Sequence, residues 1–477
     1  ILCFDGTGDS FDDDNSNVVE LFSMLERDDP EKQLVYYQTG IGTTTHPGFW
    51  SPLMISLSKL VDKMFAWNIG THVMDGYRFL MQNYRPGDRI CFFGFSRGAY
   101  TARVLAGMLH KVGLLPPGMT EQVKFAWDLY ARSDIKSFAD VRVFKQAFCR
   151  QVPIHIEFIG VWDTVSSVGD KKSFGFTANN LLVKTVRHAV ALDERRVKFK
   201  PNWWRAQTWY TPDKPELESG HKSKTDDKQV WFAGAHCDVG GGSVLNGTKH
   251  ALSRIPLRWM IRECFDTKTG ILFKAVKLRT AGLEPATLYP EVIKRNFDYD
   301  TAGRLYDTTT GKLYDTTGRF IRTPETPTQP VNEDEQDLED CLAPHYDQYE
   351  LKWWWSLLEL RFFRSRLERF VIVLPLMLDP PDRFSFLSLF GARSPGARTI
   401  PDGAYVHRSV EMRMKSAGFE RHPGTMYKIY LRCAPAFVRR FMGSRDNGYT
   451  PRAYPKADPK AGPKAGKWPP KEIRWVA

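Results

Sequence analysis

The stretch Ile90-Cys91-Phe92-Phe93-Gly94-Phe95-Ser96-Arg97-Gly98 constrains the fold of this chain more than any other. A continuous apolar run ends in a G-x-S-x-G turn, and a helix-forming segment from Ala99 to Leu109 follows at once. An apolar run of this length with turn residues behind it reads as a strand buried on both faces. A strand feeding directly into a helix reads as one unit of a parallel sheet. The turn also has chemical meaning. A serine at its centre sits on a strained backbone, with its hydroxyl projecting from the strand end. Gly94 and Gly98 keep Cβ atoms away from the place where strand and helix pack, and the helix N-terminus turns the Arg97 N–H toward a developing negative charge. Without its flanks the motif is weak, and a purely structural strand–helix turn is the alternative.

The rest of the first half repeats this alternation. Ile1 to Phe4, Gln33 to Thr39, Ile154 to Val161 and Val230 to Ala235 are further strand candidates. Val18, Leu21, Phe22 and Leu25 recur at helical spacing behind Asn15 and Ser16, either of which can cap the helix. Met54 to Tyr84, Arg97 to Val112 (stopped by Gly113) and Leu252 to Phe265 read as helices. The pattern predicts an α/β protein with a mostly parallel central sheet, helices on both faces, and a C-terminal helical or irregular extension.

Composition excludes several classes. Hydrophobic residues make up 42% of the 477, enough for a large core. The longest apolar run, Phe370 to Leu378, has nine residues and includes Pro375, too short to span a bilayer. The chain opens at Ile1 with a strand and no basic n-region, so neither signal peptide nor spanning helix is expected, and a cytoplasmic or peripheral-membrane location follows; the start itself reads as trimmed. Net charge is +12, and Pro451 to Ala477 contributes seven Lys/Arg against two acids. No nucleic-acid motif accompanies it, so no nucleic-acid partner is expected. Seven scattered cysteines without a C-x-x-C pair point away from a disulfide scaffold and a zinc finger, toward reduced thiols.

The second half changes character. RLYDTTTG and KLYDTTGR, within Arg304 to Phe320, form a small duplication suited to a hairpin or ordered loop. Asn332 to Asp340 carries six acids and reads as an exposed linker. Leu351 to Phe370 has apolar residues every three to four positions and contains Trp353-Trp354-Trp355 among arginines. It reads as a helix packing on the core as a lid or buttress, with a peripheral membrane contact as the alternative. The segment after Tyr449 repeats Pro-Lys-Ala and reads as a low-complexity tail. Four regions are therefore expected: a core over 1–270, an insertion with the acidic linker over 271–345, a C-terminal helical part over 346–445, and a basic tail over 446–477.

Ser96 needs a base. His236 follows the strand Val230 to Ala235 and precedes Gly240-Gly241-Gly242, which allow close backbone approach. His188 is the runner-up; His155 falls inside a strand candidate, and His110 lies about three turns into the helix after Ser96. Asp163, at the carboxyl end of its strand, is the leading partner for the imidazole, ahead of Asp193 and Asp238. The order Ser96, Asp163, His236 is the Ser–acid–His order of α/β hydrolases. Asp5-Gly6-Thr7 ends the first strand. There Gly6 is a candidate second oxyanion donor, an Asx-type turn around Asp5 is the structural alternative, and a metal held by Asp5 and Asp238 is a third reading that no ligand spacing supports. No cofactor is called for.

The segments FDGT, YYQTGIGT, FFGFSRGAYTARVLAGMLHKVGLL, FIGVWDTVSSVG, HAVALDERR and VWFAGAHCDVGGG resemble an uncharacterised hydrolase-like domain family of fungi and bacteria, whose bacterial members include phospholipase effectors of type VI secretion. LSRIPLRWMIREC resembles the fungal branch. The resemblance runs from Ile1 to about Phe265 and resumes weakly at Trp353-Trp354 with Glu359 and at Val406-His407 with Ser409-Val410. It implies an α/β-hydrolase fold and a Ser–Asp–His triad falling on Ser96, Asp163 and His236. The expected function is a serine hydrolase of carboxylic esters, with an ester or phospholipid as substrate. The alternatives are a catalytically silent hydrolase fold used for binding and a metal-dependent phosphate-handling enzyme.

Overall fold

The computed structural model describes residues 1–6, 13–40, 54–132, 136–165, 174–196, 199–204, 225–288, 297–299, 305–307, 313–314, 333–347, 398–401, 404–415, 454–455 and 473–476. In chain order these form β1 (Leu2–Phe4), α1 (Asn17–Met24), β2 (Tyr36–Gln38), α2 (Met54–Asn83), β3 (Ile90–Phe95), α3 (Ser96–Val112), α4 (Gln122–Ala131), α5 (Lys136–Phe148), β4 (Ile156–Trp162), β5 (Val183–Ala191), β6 (Asp226–Phe232), α6 (His236–Gly240) and α7 (Arg254–Asp266). Then come α8 (Ala275–Thr280), α9 (Pro285–Leu288), β7 (Phe297–Tyr299), β8 (Leu305–Asp307), β9 (Leu313–Tyr314), α10 (Glu333–Cys341), β10 (Thr399–Ile400), β11 (Ala404–His407), α11 (Arg408–Lys415), β12 (Tyr454–Pro455) and β13 (Ile473–Val476).

Eight strands form one sheet in the order β13-β11-β6-β5-β4-β3-β1-β2, and every pairing is parallel. Period-two alternation divides the strand residues between two cores. Leu2, Phe4, Ile90 and Phe92 pack with Val73 and Tyr77 of α2, Leu105 of α3, Leu129 of α4 and Phe144 of α5. Cys3, Cys91, Phe93 and Phe95 pack on the other face with Val18 and Leu21 of α1 and Met260 of α7. All six residues of β3 are buried, which explains its uninterrupted apolar run. The architecture is an α/β, hydrolase-like fold. From β1 the chain goes outward to β2, then builds β3 and the later strands on the other side of β1. In such a sheet the crevice opens beyond the carboxyl ends of the strands at this reversal.

Local signals act as their chemistry dictates. The Ser16 side chain accepts the Val19 N–H and caps α1. Gly113, at φ 87°, ends α3. The duplicated LYDTT segments hold β8 and β9, which pair antiparallel beside β7.

Three features differ from the sequence pattern. β5 carries Lys184, Thr185, Arg187 and His188 and so lacks the apolar run of a central strand. It lies centrally all the same, because buried Arg187 is paired with Glu263 of α7 and with Asp226. The acidic stretch read as a linker is helix α10. Asp337 and Asp340 lie three apart on one face and meet the buried Arg258 of α7 at 2.5 and 2.6 Å. Ile473–Val476, at the end of the segment read as a tail, pairs with β11 at the sheet edge. Trp353-Trp354-Trp355, the helix expected around them and the run Phe370 to Leu378 lie outside the described residues. No helix among the described residues is long and apolar enough to cross a membrane.

Candidate active site

The residues just past three strands, β3, β4 and β6, meet beyond the carboxyl ends of the sheet. Ser96 follows β3 directly and adopts φ 57°, the left-handed region that a non-glycine residue occupies only under strain. The glycines around it explain the turn. A Cβ on Gly94 would lie 2.7 Å from the Ala99 backbone. A Cβ on Gly98 would lie 2.2 Å from the Phe4 carbonyl oxygen and 2.3 Å from that of Asp5. The first turn of α3 therefore rests directly on the end of β1. Arg97 follows Ser96 as the second residue of α3.

Asp163 follows β4, also at positive φ (39°), and its N–H donates to the Ala189 carbonyl. His236 opens α6 just beyond β6. Gly240 lets the loop close over the ring of Phe95, which a Cβ there would overlap at 1.9 Å. The histidine ring lies between Phe95, at 4.6 Å, and Phe199, at 4.8 Å.

These placements give a continuous hydrogen-bonded chain. His236 Nε2 is 2.8 Å from Ser96 Oγ, and His236 Nδ1 is 2.6 Å from Asp163 Oδ2. All three residues are buried. Burial favours the neutral form of Asp163, but the Arg398 guanidinium and His236 outweigh it and hold the carboxyl well below its ordinary range. An ionised carboxylate only accepts, so the imidazole proton belongs on Nδ1, and Nε2 is left to accept from the serine hydroxyl. Burial also lowers the pKa of His236, against the attraction of Asp163, which favours the neutral ring. A hydroxyl, a neutral imidazole and a carboxylate in this order can move a proton off the hydroxyl as it attacks an electrophile.

The neighbours of this chain come from far along the sequence. Arg398, just ahead of β10, places Nη1 2.5 Å from Asp163 Oδ1 and Nη2 2.9 Å from Oδ2. No motif signals it. In the segment LDERR after β5, Glu194 accepts the His236 N–H at 3.3 Å and is paired with Arg196, while Asp193 accepts the Gly234 N–H at 2.6 Å. Asp193 thus braces the histidine loop.

The other histidine candidates stand elsewhere. His188 is on β5, where its Nε2 accepts the Thr164 N–H at 3.0 Å and its Nδ1 faces Gln229. Burial, then the Arg103 charge, push it down to about 3. His110 pairs with Asn180 and stacks on Phe176. His155 is exposed and precedes β4 instead of lying within a strand.

Asp5 accepts from the Gly6 N–H (2.7 Å) and the Ser16 hydroxyl (2.6 Å) on Oδ1, and from the Tyr37 hydroxyl (2.7 Å) on Oδ2. The Gly6 amide would have to exchange this bond to serve an oxyanion. Asp238 Oδ2 accepts the Ala235 and Tyr346 N–H groups, each at 2.9 Å. Burial pushes the Asp238 carboxyl up to about 7.

Fold and site together define a hydrolase-like α/β protein with a serine at a strained strand–helix turn. Residues 1–263 match the family model described as type VI secretion system phospholipase effector Tle1-like, catalytic domain, and the chain belongs to that family. An uncharacterized protein of Saccharomyces cerevisiae is 43% identical over 215 residues, a match covering 42% of this chain and 32% of that protein. The chain thus spans about a third of the length of this relative. Among solved structures, an uncharacterized protein from Pseudomonas aeruginosa is 18% identical, with a TM-score of 0.30, over 56% of this chain and 45% of the other. The Tle1 effector bound to the VgrG spike of the type 6 secretion system is 17% identical, with a TM-score of 0.29, over 52% and 51%.

Proposed function

We propose that this chain is a serine hydrolase that cleaves carboxylic esters of lipids, phospholipids foremost. The observation that carries the reading is the chain Ser96 Oγ to His236 Nε2 (2.8 Å) and His236 Nδ1 to Asp163 Oδ2 (2.6 Å), starting from a serine at φ 57°. The lipid substrate rests on membership of a family described by its phospholipase effectors.

Ser96 Oγ attacks the acyl carbon as His236 Nε2 takes the hydroxyl proton. The carbonyl oxygen becomes an oxyanion beside the Arg97 N–H at the start of α3. Gly6 becomes a second donor only on giving up its bond to Asp5. The tetrahedral intermediate collapses, the ester C–O bond breaks, and His236 returns the proton to the leaving alcohol. A water then attacks the acyl-serine ester with His236 again as base, releasing the carboxylic acid and restoring Ser96. Asp163 holds the ring and stabilises the imidazolium formed at each step.

Hydrolysis of a short-chain p-nitrophenyl ester and of phospholipid vesicles tests the reading, with fluorophosphonate labelling as a direct probe of Ser96. Turnover of the ester with none of the vesicles reduces the claim to an esterase. No turnover and no label on Ser96 leaves the fold as a binding module.

A further inference from the structure

We propose that Arg398 is a positioning residue of this site: its guanidinium fixes Asp163 against His236 and cancels the carboxylate charge that the imidazole would otherwise feel alone. The inference rests on the hydrolase reading above and adds a residue outside the matched span 1–263.

The geometry is that of a clamp. Both terminal nitrogens of Arg398 reach Asp163, one to each oxygen. The same two nitrogens also donate to the carbonyls of Ala191 (2.9 Å) and Phe199 (2.6 Å). Asp163 Oδ1 further accepts the Ala191 N–H at 3.0 Å. Oδ1 thus accepts from Arg398 and the Ala191 amide, and Oδ2 is shared between Arg398 and His236 Nδ1. Phe199, tied to the same guanidinium, lies edge-on to the His236 ring. The side chains of Arg398 and Asp163 are 3% and 0% exposed, so solvent does little to weaken the pair.

The charge count follows. The charged groups acting on His236 are Asp163 at the end of β4 and Glu194 and Arg196 after β5, while Arg398, ahead of β10, acts on Asp163 and Glu194; Cys237 and Asp238 share its own element, Asp193 holds the loop before it, and His188 stands behind Asp163 on β5. Asp163 and Glu194, the two carboxylates acting on the ring, are each paired with a guanidinium, Arg398 and Arg196. A Ser–His–Asp arrangement without Arg398 would present a net negative charge to the ring and hold the imidazolium more firmly. With the clamp, His236 is less inclined to keep the proton it takes from Ser96.

The test is a titration of the His236 ring by NMR on the full chain carrying 13C-labelled histidine, the signal assigned by its loss in His236→Gln. The wild-type midpoint is expected below the ordinary histidine value of about 6.5. In Arg398→Gln it should rise by about two pH units, the effect of one charge roughly 6 Å away at an effective dielectric of about 20. Arg398→Lys, which keeps the charge and loses the fork, should reverse at least half of that rise. A folded Arg398→Gln protein with an unmoved midpoint overturns the proposal. If that variant does not fold, a wild-type midpoint at or above the ordinary value overturns it as well. Wild type that takes no fluorophosphonate label defeats the hydrolase reading, while the titration still decides the charge effect of Arg398.

Discussion

Gly98 is the position where one methyl group should do most harm. Its absent Cβ would stand 2.2 Å from the Phe4 carbonyl oxygen and 2.3 Å from that of Asp5. Contact between a carbon and an oxygen is comfortable at about 3.4 Å, so Gly98→Ala overlaps two backbone atoms by about 1 Å. Backbone at the end of a paired strand cannot rotate aside as a side chain would, so α3 must lift from β1. Overpacking of this kind costs about 1–3 kcal/mol, and two fixed backbone contacts put Gly98→Ala at or above the top of that range. The lift also carries Ser96, two residues away, off its 2.8 Å contact with His236. A displacement of about 1 Å lowers the chemical rate on the order of a hundredfold. Urea unfolding gives the stability and kcat/KM on a p-nitrophenyl ester gives the rate. Gly175→Ala is the control, because nothing lies within 4 Å of its Cβ position; it should stay within about 0.5 kcal/mol. Wild-type stability and rate in Gly98→Ala would refute the close packing of α3 on β1 as the basis of the turn.

Other outcomes follow from the same geometry. His236→Ala should lose the chemistry at every pH, whereas His188→Gln should keep most of kcat and lose stability; steady-state rates beside urea curves separate the two roles. The base must be unprotonated and burial lowers the pKa of His236, so the acid limb of kcat/KM should have its midpoint below 6.5. A pH–rate profile whose acid limb lies above that value contradicts the account. Asp340→Ala removes one carboxylate of the buried Arg258 pair and should cost about 3 kcal/mol in urea unfolding, leaving the site intact.

Much of this molecule is legible from local sequence because the physics there is local. Ile90 to Phe95 is buried along its whole length and therefore apolar along its whole length. Gly94, Ser96 and Gly98 meet steric demands that only their own turn imposes. His236 and Asp163 are visible because each stands just past a recognisable strand. What sequence hides depends on partners far away. β5 looks unlike a buried strand because the carboxylate that neutralises Arg187 is Glu263, 76 residues on. The acids of α10 look like a solvated linker until Arg258, 79 residues earlier, is placed beside them. Arg398 is 235 residues from the carboxylate it grips and carries no motif. A single sequence shows charges, and only the fold shows which of them are paired.

The central claim is that Ser96 is the nucleophile. Hydrolysis of a p-nitrophenyl ester and of phospholipid vesicles, by wild type and by Ser96→Ala, with and without EDTA, tests it most directly. The account predicts turnover by wild type that ignores the chelator and falls by several orders of magnitude in a Ser96→Ala protein that folds as wild type does. Turnover that survives the loss of Ser96, or that disappears with the chelator, would contradict it.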